Sequence, residues 1–356
     1  MKIQSGRAGQ PRRQQSPIVP SGGHSAGGST RRHLIALAAT LLVGSSLLSG
    51  CAAGSEEAQD APTREVTDVE GTRMDVPVEP QRVVTLSEPT LDGALALGIT
   101  PVGTVAGRGQ SAAPAYLGDA AAEIPVLGTI ANPDYEAIAT ADPDLILVDG
   151  TSINNAEVMG VLRKIAPTYY AGYAGGSWRA TFGQVALALN QVEAGETVQD
   201  DYDAHVRDVA ATLTDQADET FSIVRWQGGS ASVILKELPA GMALEDLGLA
   251  RPAGQDRRGR GHSEPVSLEN LAEIDADHMF FGTLGGASEG NRDAGGASDA
   301  ESARAALADA REVPGFSTLA AVRNDQVYVV DGSLWTSTGG PLLMRGLVDS
   351  VKENLS

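Results

Sequence analysis

Glu136-Ala-Ile-Ala-Thr-Ala-Asp-Pro-Asp144-Leu-Ile-Leu-Val148 and Glu269-Asn-Leu-Ala-Glu-Ile-Asp-Ala-Asp277-His-Met-Phe-Phe281 align at a constant offset of 133 residues, with no gap. Glu136/Glu269, Ala139/Ala272, Asp142/Asp275 and Asp144/Asp277 are identical pairs, and Ile138/Leu271 is conservative. Each copy reads as a short helix, a turn and a buried strand, with a carboxylate in the first half of the helix. A helix–turn–strand echo can arise generically in α/β chains, but these identities at fixed spacing favour duplication of a supersecondary unit.

Outward from the two copies, short apolar runs alternate with helical stretches, the pattern of an α/β chain. In the first half Arg82–Leu86, Pro101–Val105 and Asp144–Val148 read as strands. Pro89 in a first turn opens a helix that Gly98 ends, Asn132-Pro133 forms a cap-plus-first-turn pair, and Asn155–Ile165 is a further helix. In the second half Phe221–Trp226, Ala231–Leu235, Asp277–Phe281 and Gln326–Val330 read as strands. Helices are expected near Met242–Leu247, at Ser267–Glu273 and at Pro341–Leu355, and Gly285–Ser302 is expected to be a surface insertion. Between the halves, Phe182, Val185, Leu189, Val192, Val198, Tyr202, Val206, Val209 and Leu213 recur at helical steps across Trp178–Asp215. That predicts one amphipathic helix about 55 Å long, or two helices hinged at Ala194-Gly195.

The first fifty residues do not belong to this fold. Residues 1–33 carry six bases and no acid, and Leu34–Leu48 is an uncharged apolar run too short to span a membrane as a stable helix. A positive segment followed by a short apolar one is an export signal. Gly23–Gly27 fits G-x-S-x-G but lacks the strand and helix that a nucleophile elbow needs. Beyond residue 50 the chain has 20 bases against 46 acids, a net charge of −26. So acidic a chain is not expected to bind nucleic acid. A single cysteine excludes a disulfide framework and CxxC metal or redox motifs.

Leu48-Ser49-Gly50-Cys51 resembles the bacterial lipobox, whose cysteine is acylated and becomes the new N-terminus. Ser29–Ile35 also resembles a twin-arginine signal, though paired arginines at the end of an ordinary leader are common, so the export route stays open. The folded segments, from Gln81–Leu86 and Leu95–Gly103 through Tyr135–Val148 and Val266–Phe281 to Gly315–Asp331 with Trp335, resemble a known family. It comprises the substrate-binding proteins of ABC importers for ferric siderophores, haem and vitamin B12. The resemblance implies two Rossmann-like lobes joined by a single long α-helix, as in class III periplasmic binding proteins, with ligand held between them. The expected divisions are a signal peptide at 1–50, a flexible tether at 51–75, an N-terminal α/β lobe at 76–176, the connecting helix at 177–217 and a C-terminal α/β lobe at 218–356. The expected product is a monomeric, non-enzymatic lipoprotein on the outer face of the cell membrane, without a cofactor of its own.

The resemblance further implies that Glu136 and Glu269, one per lobe, meet arginines of the permease. As solvated helix-face residues each would be unremarkable alone; the pairing within a repeat favours docking. For the ligand, the loops after the strand ends are the expected site. Arg108, Arg225 and Arg179 suit the iron-bound oxygens of a ferric chelate, and Trp226, Trp335 and Trp178 suit its organic scaffold, with ordinary core packing an equal alternative for Trp226 and Trp335. The chelate supplies the iron's ligands, so no protein metal site is expected. Arg251–His262 carries four arginines and would favour an anionic chelate if it overhangs the cleft. Haem and cobalamin are the alternatives within the same class, and a structural surface lipoprotein is a remoter one. A direct transition-metal binder is disfavoured because only His205, His262 and His278 follow the leader, and no two are neighbours in sequence.

Overall fold

The structure, a computed structural model, describes residues 62–153, 155–259, 263–284 and 297–356. The leader, Cys51 and most of the 285–302 insertion lie outside them. Part of the expected tether is folded. Strands β1 (Thr63–Thr67) and β2 (Arg73–Pro77) form an antiparallel hairpin that buries Val66 and Val76.

The N-terminal lobe runs β3 (Val83–Thr85), α1 (Glu88–Ala96), β4 (Gly103–Ala106), β5 (Val126–Thr129), α2 (Tyr135–Thr140), β6 (Leu145–Val148), α3 (Ala156–Leu162) and β7 (Thr168–Tyr170). Its five strands are all parallel, in the order β5-β4-β3-β6-β7. Buried on both faces, the central strands are continuous apolar runs such as Leu145–Val148. Ser87 caps α1 through Thr90 N–H, with Pro89 in the first turn as expected. Asp134, rather than Asn132, caps α2, accepting from the N–H groups of Glu136 and Ala137.

Two helices make the connection, α4 (Trp178–Ala188) and α5 (Val192–Ala210). The chain breaks at Leu189–Gln191, where Asn190 takes a left-handed conformation (φ 58°), and not at Ala194-Gly195. Gly195 lies within α5, where a Cβ would stand 2.7 Å from that of Ala186. Its missing side chain therefore lets α4 and α5 approach closely, and the single 55 Å rod is replaced by a folded-back pair.

The C-terminal lobe comprises β8 (Phe221–Gln227), β9 (Ser230–Val233), α6 (Pro239–Asp246), β10 (Glu264–Val266), a 3-10 segment Leu268–Ile274, β11 (His278–Gly282), α7 (Ala300–Arg311), α8 (Ala320–Arg323), β12 (Val327–Val329), α9 (Gly332–Trp335) and α10 (Pro341–Leu355). Its strand order, β10-β9-β8-β11-β12, has the same pattern as the first lobe. One strand differs in direction. Gly228 and Gly229, at φ 58° and 75°, make a two-residue hairpin turn that sets β9 antiparallel to β8.

The sequence repeat has structural counterparts on these two frames. Asp134 and Ser267 cap the equivalent helices, while Ile138 and Leu271 are both buried. Asp144 accepts the N–H groups of Gln81 and Arg82 at the entry to β3, and Asp277 accepts Thr220 N–H and Oγ1 at the entry to β8. Asp142 and Asp275 diverge: the first sits at φ 49°, the second caps α8 through Ala320 and Ala321.

Candidate binding site between the lobes

Loops at the carboxyl ends of parallel strands stand clear of the sheet's own packing, so open α/β sheets collect ligands there. In the first lobe β3 leads to Glu88, β4 to Arg108 and β6 to Asp149 and Thr151. These side chains converge. Arg108 donates from Nη1 to the Glu88 carboxylate and from Nη2 to the Thr151 carbonyl (2.6 Å), while its own N–H reaches Glu88 Oε1 (3.0 Å). Asp149, also buried, accepts from Thr151 N–H (3.1 Å) and Oγ1 (2.6 Å). Burial pushes its pKa up to about 6 against the pull of Thr151, Ser87 and the Arg108 charge.

The second lobe closes on the same point. Ser337 Oγ (2.8 Å) and Thr338 Oγ1 (2.9 Å) donate to Glu88, and Arg108 Nη1 reaches Thr338 Oγ1 (3.0 Å). Arg225, half-buried at the end of β8, donates to Ser263 Oγ. Burial, together with the nearby positive charge of Arg108, lowers its pKa to about 10. Two guanidinium groups from opposite lobes thus feel each other, and among the described residues one carboxylate, Glu88, is bonded to either. Such a pair attracts an anion with planar, paired oxygens.

The tryptophans do not belong to this site. Successive residues of a strand face opposite ways, so Arg225 and Trp226 cannot both address the seam. Trp226 is 2% exposed and packs against Phe281 and Phe316. Trp335 is 1% exposed, stacks on Phe280 at 4.0 Å and donates to Ser350 Oγ. Trp178 is buried edge-on to Tyr202. Arg179 lies over both of those rings and pairs with Asp203 (2.5 Å), tying α4 to α5 rather than facing a ligand. The aromatic residues expected to pack a chelate instead build the core.

Most of the arginine-rich loop is also committed within its own lobe. Arg251 is buried and donates to Ile234 O and Gln255 Oε1, Arg257 forks onto Glu264, and Arg258 approaches Glu245 at 3.6 Å. Arg260 and His262 lie outside the described residues. His205 is bonded to Asp349 (2.6 Å), and His278 to Glu219 (2.7 Å) and Tyr328 (3.0 Å). Among the described residues there is no cluster of three or more His, Cys, Asp or Glu suited to a metal ion. Glu136 and Glu269 are exposed, each the second residue of its helical segment.

Sequence reasoning placed Glu88 in a strand-end loop of the expected site but passed over Asp92, the second buried carboxylate of α1. Glu88 and Asp92 are one turn apart, the spacing that puts them on one helix face, and both are spent on the opposite lobe. Asp92 accepts the N–H groups of Leu342 and Leu343 at the start of α10, and Tyr116 OH, all at 2.9 Å. A Cβ at Gly340 would lie 2.7 Å from Asp92 Oδ1, so glycine makes the approach possible. Burial pushes the Asp92 pKa up from 3.8 to about 6, opposed by the N–H groups of α10. The folded state therefore holds this proton more tightly than the unfolded chain, and its contribution to stability is lost as pH rises through about 4 to 6. Relative to Asp92→Asn, the wild-type unfolding free energy should fall by up to about 3 kcal/mol from pH ~4 to pH ~7 in urea titrations. A pH-independent difference would contradict this.

The sequence profile of the family described as Periplasmic binding protein matches residues 83–334. Two Bacillus subtilis proteins are each 29% identical. The "Probable siderophore-binding lipoprotein YfiY" aligns over 318 residues, 86% of this chain and 93% of its own. The Fe(3+)-citrate-binding protein YfmC aligns over 317 residues, 86% of this chain and 92% of its own. Among solved structures, Staphylococcus aureus SirA complexed with staphyloferrin B superposes with a TM-score of 0.68 at 25% identity, over 82% of this chain and 98% of SirA.

Proposed function

The chain belongs to the periplasmic binding protein family, and on that premise we propose that it is an exported, lipid-anchored binding protein that takes a ferric siderophore between its lobes and delivers it to an ABC permease. The family is one of binding proteins, so the reading involves no catalysis. One observation carries the ligand assignment: Arg108 is bonded across the lobes to Thr338, and Arg225 of the second lobe lies near enough to feel its charge. A chelate whose iron is wrapped in anionic oxygens presents what two guanidinium groups bind best, and needs no metal ligand from the protein. The names of YfiY and YfmC, a siderophore binder and a Fe(3+)-citrate binder, support an iron chelate as cargo. Anchoring at Cys51 is supported by the lipobox-like Leu48–Cys51 and by the naming of YfiY as a lipoprotein.

The test is calorimetric titration of the purified protein with ferric citrate, a ferric tris-catecholate, haemin and cobalamin, alongside fractionation of cells expressing Cys51→Ser protein. The expected result is binding of an anionic ferric chelate, with the Cys51→Ser protein released from the membrane. Binding of haemin or cobalamin alone would overturn the ligand assignment, and full retention of the variant would overturn the anchor.

A further inference from the structure

Glu88 sits where both lobes and the Arg108 guanidinium come together. Its side chain is 2% exposed, and the Arg108 side chain 14%. One carboxylate oxygen takes Arg108 N–H; the other takes the Arg108 guanidinium and the hydroxyls of Ser337 and Thr338. Glu88 therefore holds Arg108 through its backbone N–H and the Nη1 side of its guanidinium. Arg108 has given Nη1 to Glu88 and Thr338 and one Nη2 hydrogen to Thr151. Nε and the second Nη2 hydrogen show no partner among the described residues. A ligand carboxylate that approaches this guanidinium end-on, from the Nη1 side, meets an edge already held, while the side-on Nε and Nη2 edge is open.

We propose that Glu88 is an internal carboxylate that competes with the ligand's own carboxylates for Arg108, and so sets both the affinity of the site and its preference for charge. This rests on the reading of Arg108 and Arg225 as an anion site. Glu88 and the neighbouring Asp149 both offset the charge of the two arginines, so removing the Glu88 carboxylate leaves the site more positive. A carrier must release its cargo to the importer. A partner that reoccupies Arg108 as the ligand leaves lowers the barrier to release, because no guanidinium is then left buried and unpaired. The Ser337 and Thr338 hydroxyls bond the same carboxylate from the opposite lobe. Glu88 is on this account a specificity-determining residue rather than a strut.

The experiment compares ferric citrate binding to wild-type, Glu88→Gln and Glu88→Asp proteins by calorimetry, with dissociation followed by stopped flow. Glutamine keeps the size and removes the charge; aspartate keeps the charge and shortens the reach. Competition predicts that Glu88→Gln binds about tenfold tighter or more and releases correspondingly slowly, from the loss of one nearby negative charge. Glu88→Asp should stay within about threefold of wild type, since one methylene changes reach but not charge. Weaker binding in both variants would make Glu88 a support for Arg108 and overturn the proposal. Should Glu88→Gln not fold, a crystal structure of wild-type protein with ferric citrate decides: a citrate carboxylate replacing Glu88 on Arg108 supports competition, and an undisturbed Glu88–Arg108 pair refutes it. Failure of the wild-type protein to bind ferric citrate would overturn this proposal, which needs a carboxylate on the chelate, while the ferric-siderophore reading falls only if the tris-catecholate also fails to bind. Wild-type binding without a gain in Glu88→Gln overturns this proposal alone.

Discussion

Arg225→Ala protein is expected to bind ferric citrate about 10- to 150-fold more weakly than wild type, with its melting temperature little changed. The magnitude follows from charge-assisted hydrogen bonds, worth about 1.5–3 kcal/mol each, made where water is partly excluded. Arg225 donates to Ser263 Oγ in the ligand-free protein, so its removal strands one hydroxyl that water can reach and no buried charge. It also removes the like charge facing Arg108. Both effects spare the fold, so the loss should fall on ligand affinity. Arg225→Lys should recover only part of the loss, because an ammonium group cannot present two parallel N–H bonds to one carboxylate. An unchanged Kd in Arg225→Ala, measured by calorimetry, would place the ligand elsewhere.

A double change of Glu136 and Glu269 to alanine should reduce iron uptake by about 10- to 100-fold while leaving the Kd within about twofold. Both side chains are exposed and lie in the first turn of their segments, outside the seam where Arg108 and Arg225 meet. Removing them cannot disturb ligand contacts directly. It takes away two charges placed alike on the two lobes, and with them the steering and register that opposite charges on a permease would provide. Each single variant should fall between wild type and the double. Transport of 55Fe-citrate in cells, with binding measured on the purified variant, separates the two quantities. Lost affinity, or full uptake by the double variant, would contradict docking through these residues.

The repeat at offset 133 was legible because it combines two signals that survive without contacts: a period of polar caps and a buried apolar run. Asp134 and Ser267 act on the helix that follows, while Asp144 and Asp277 hold strand entries 63 and 57 residues earlier in the chain. The closing helix Pro341–Leu355 was legible for the same reason, a first-turn proline followed by helical periodicity. The connector was misread because an unbroken apolar rhythm does not report a left-handed residue such as Asn190, which breaks the helix while conserving the buried face. For the tryptophans the sequence left ligand contact and core packing open, because composition tells that an aromatic ring will be covered, but not by what.

The chain alone determined its two-lobed α/β architecture, its acidic surface and the matching exposed carboxylates at 136 and 269, since hydrophobic period, capping and charge are written residue by residue. Only the tertiary structure decided which arginines share a site. Arg108 and Arg225 stand 117 residues apart in sequence. Glu88 and Asp92 reach partners 249 to 251 residues further along the chain. Pairings of that range depend on how two sheets are set against each other, which is fixed by the burial of Phe280, Trp335 and their neighbours around α10 and not by any local pattern.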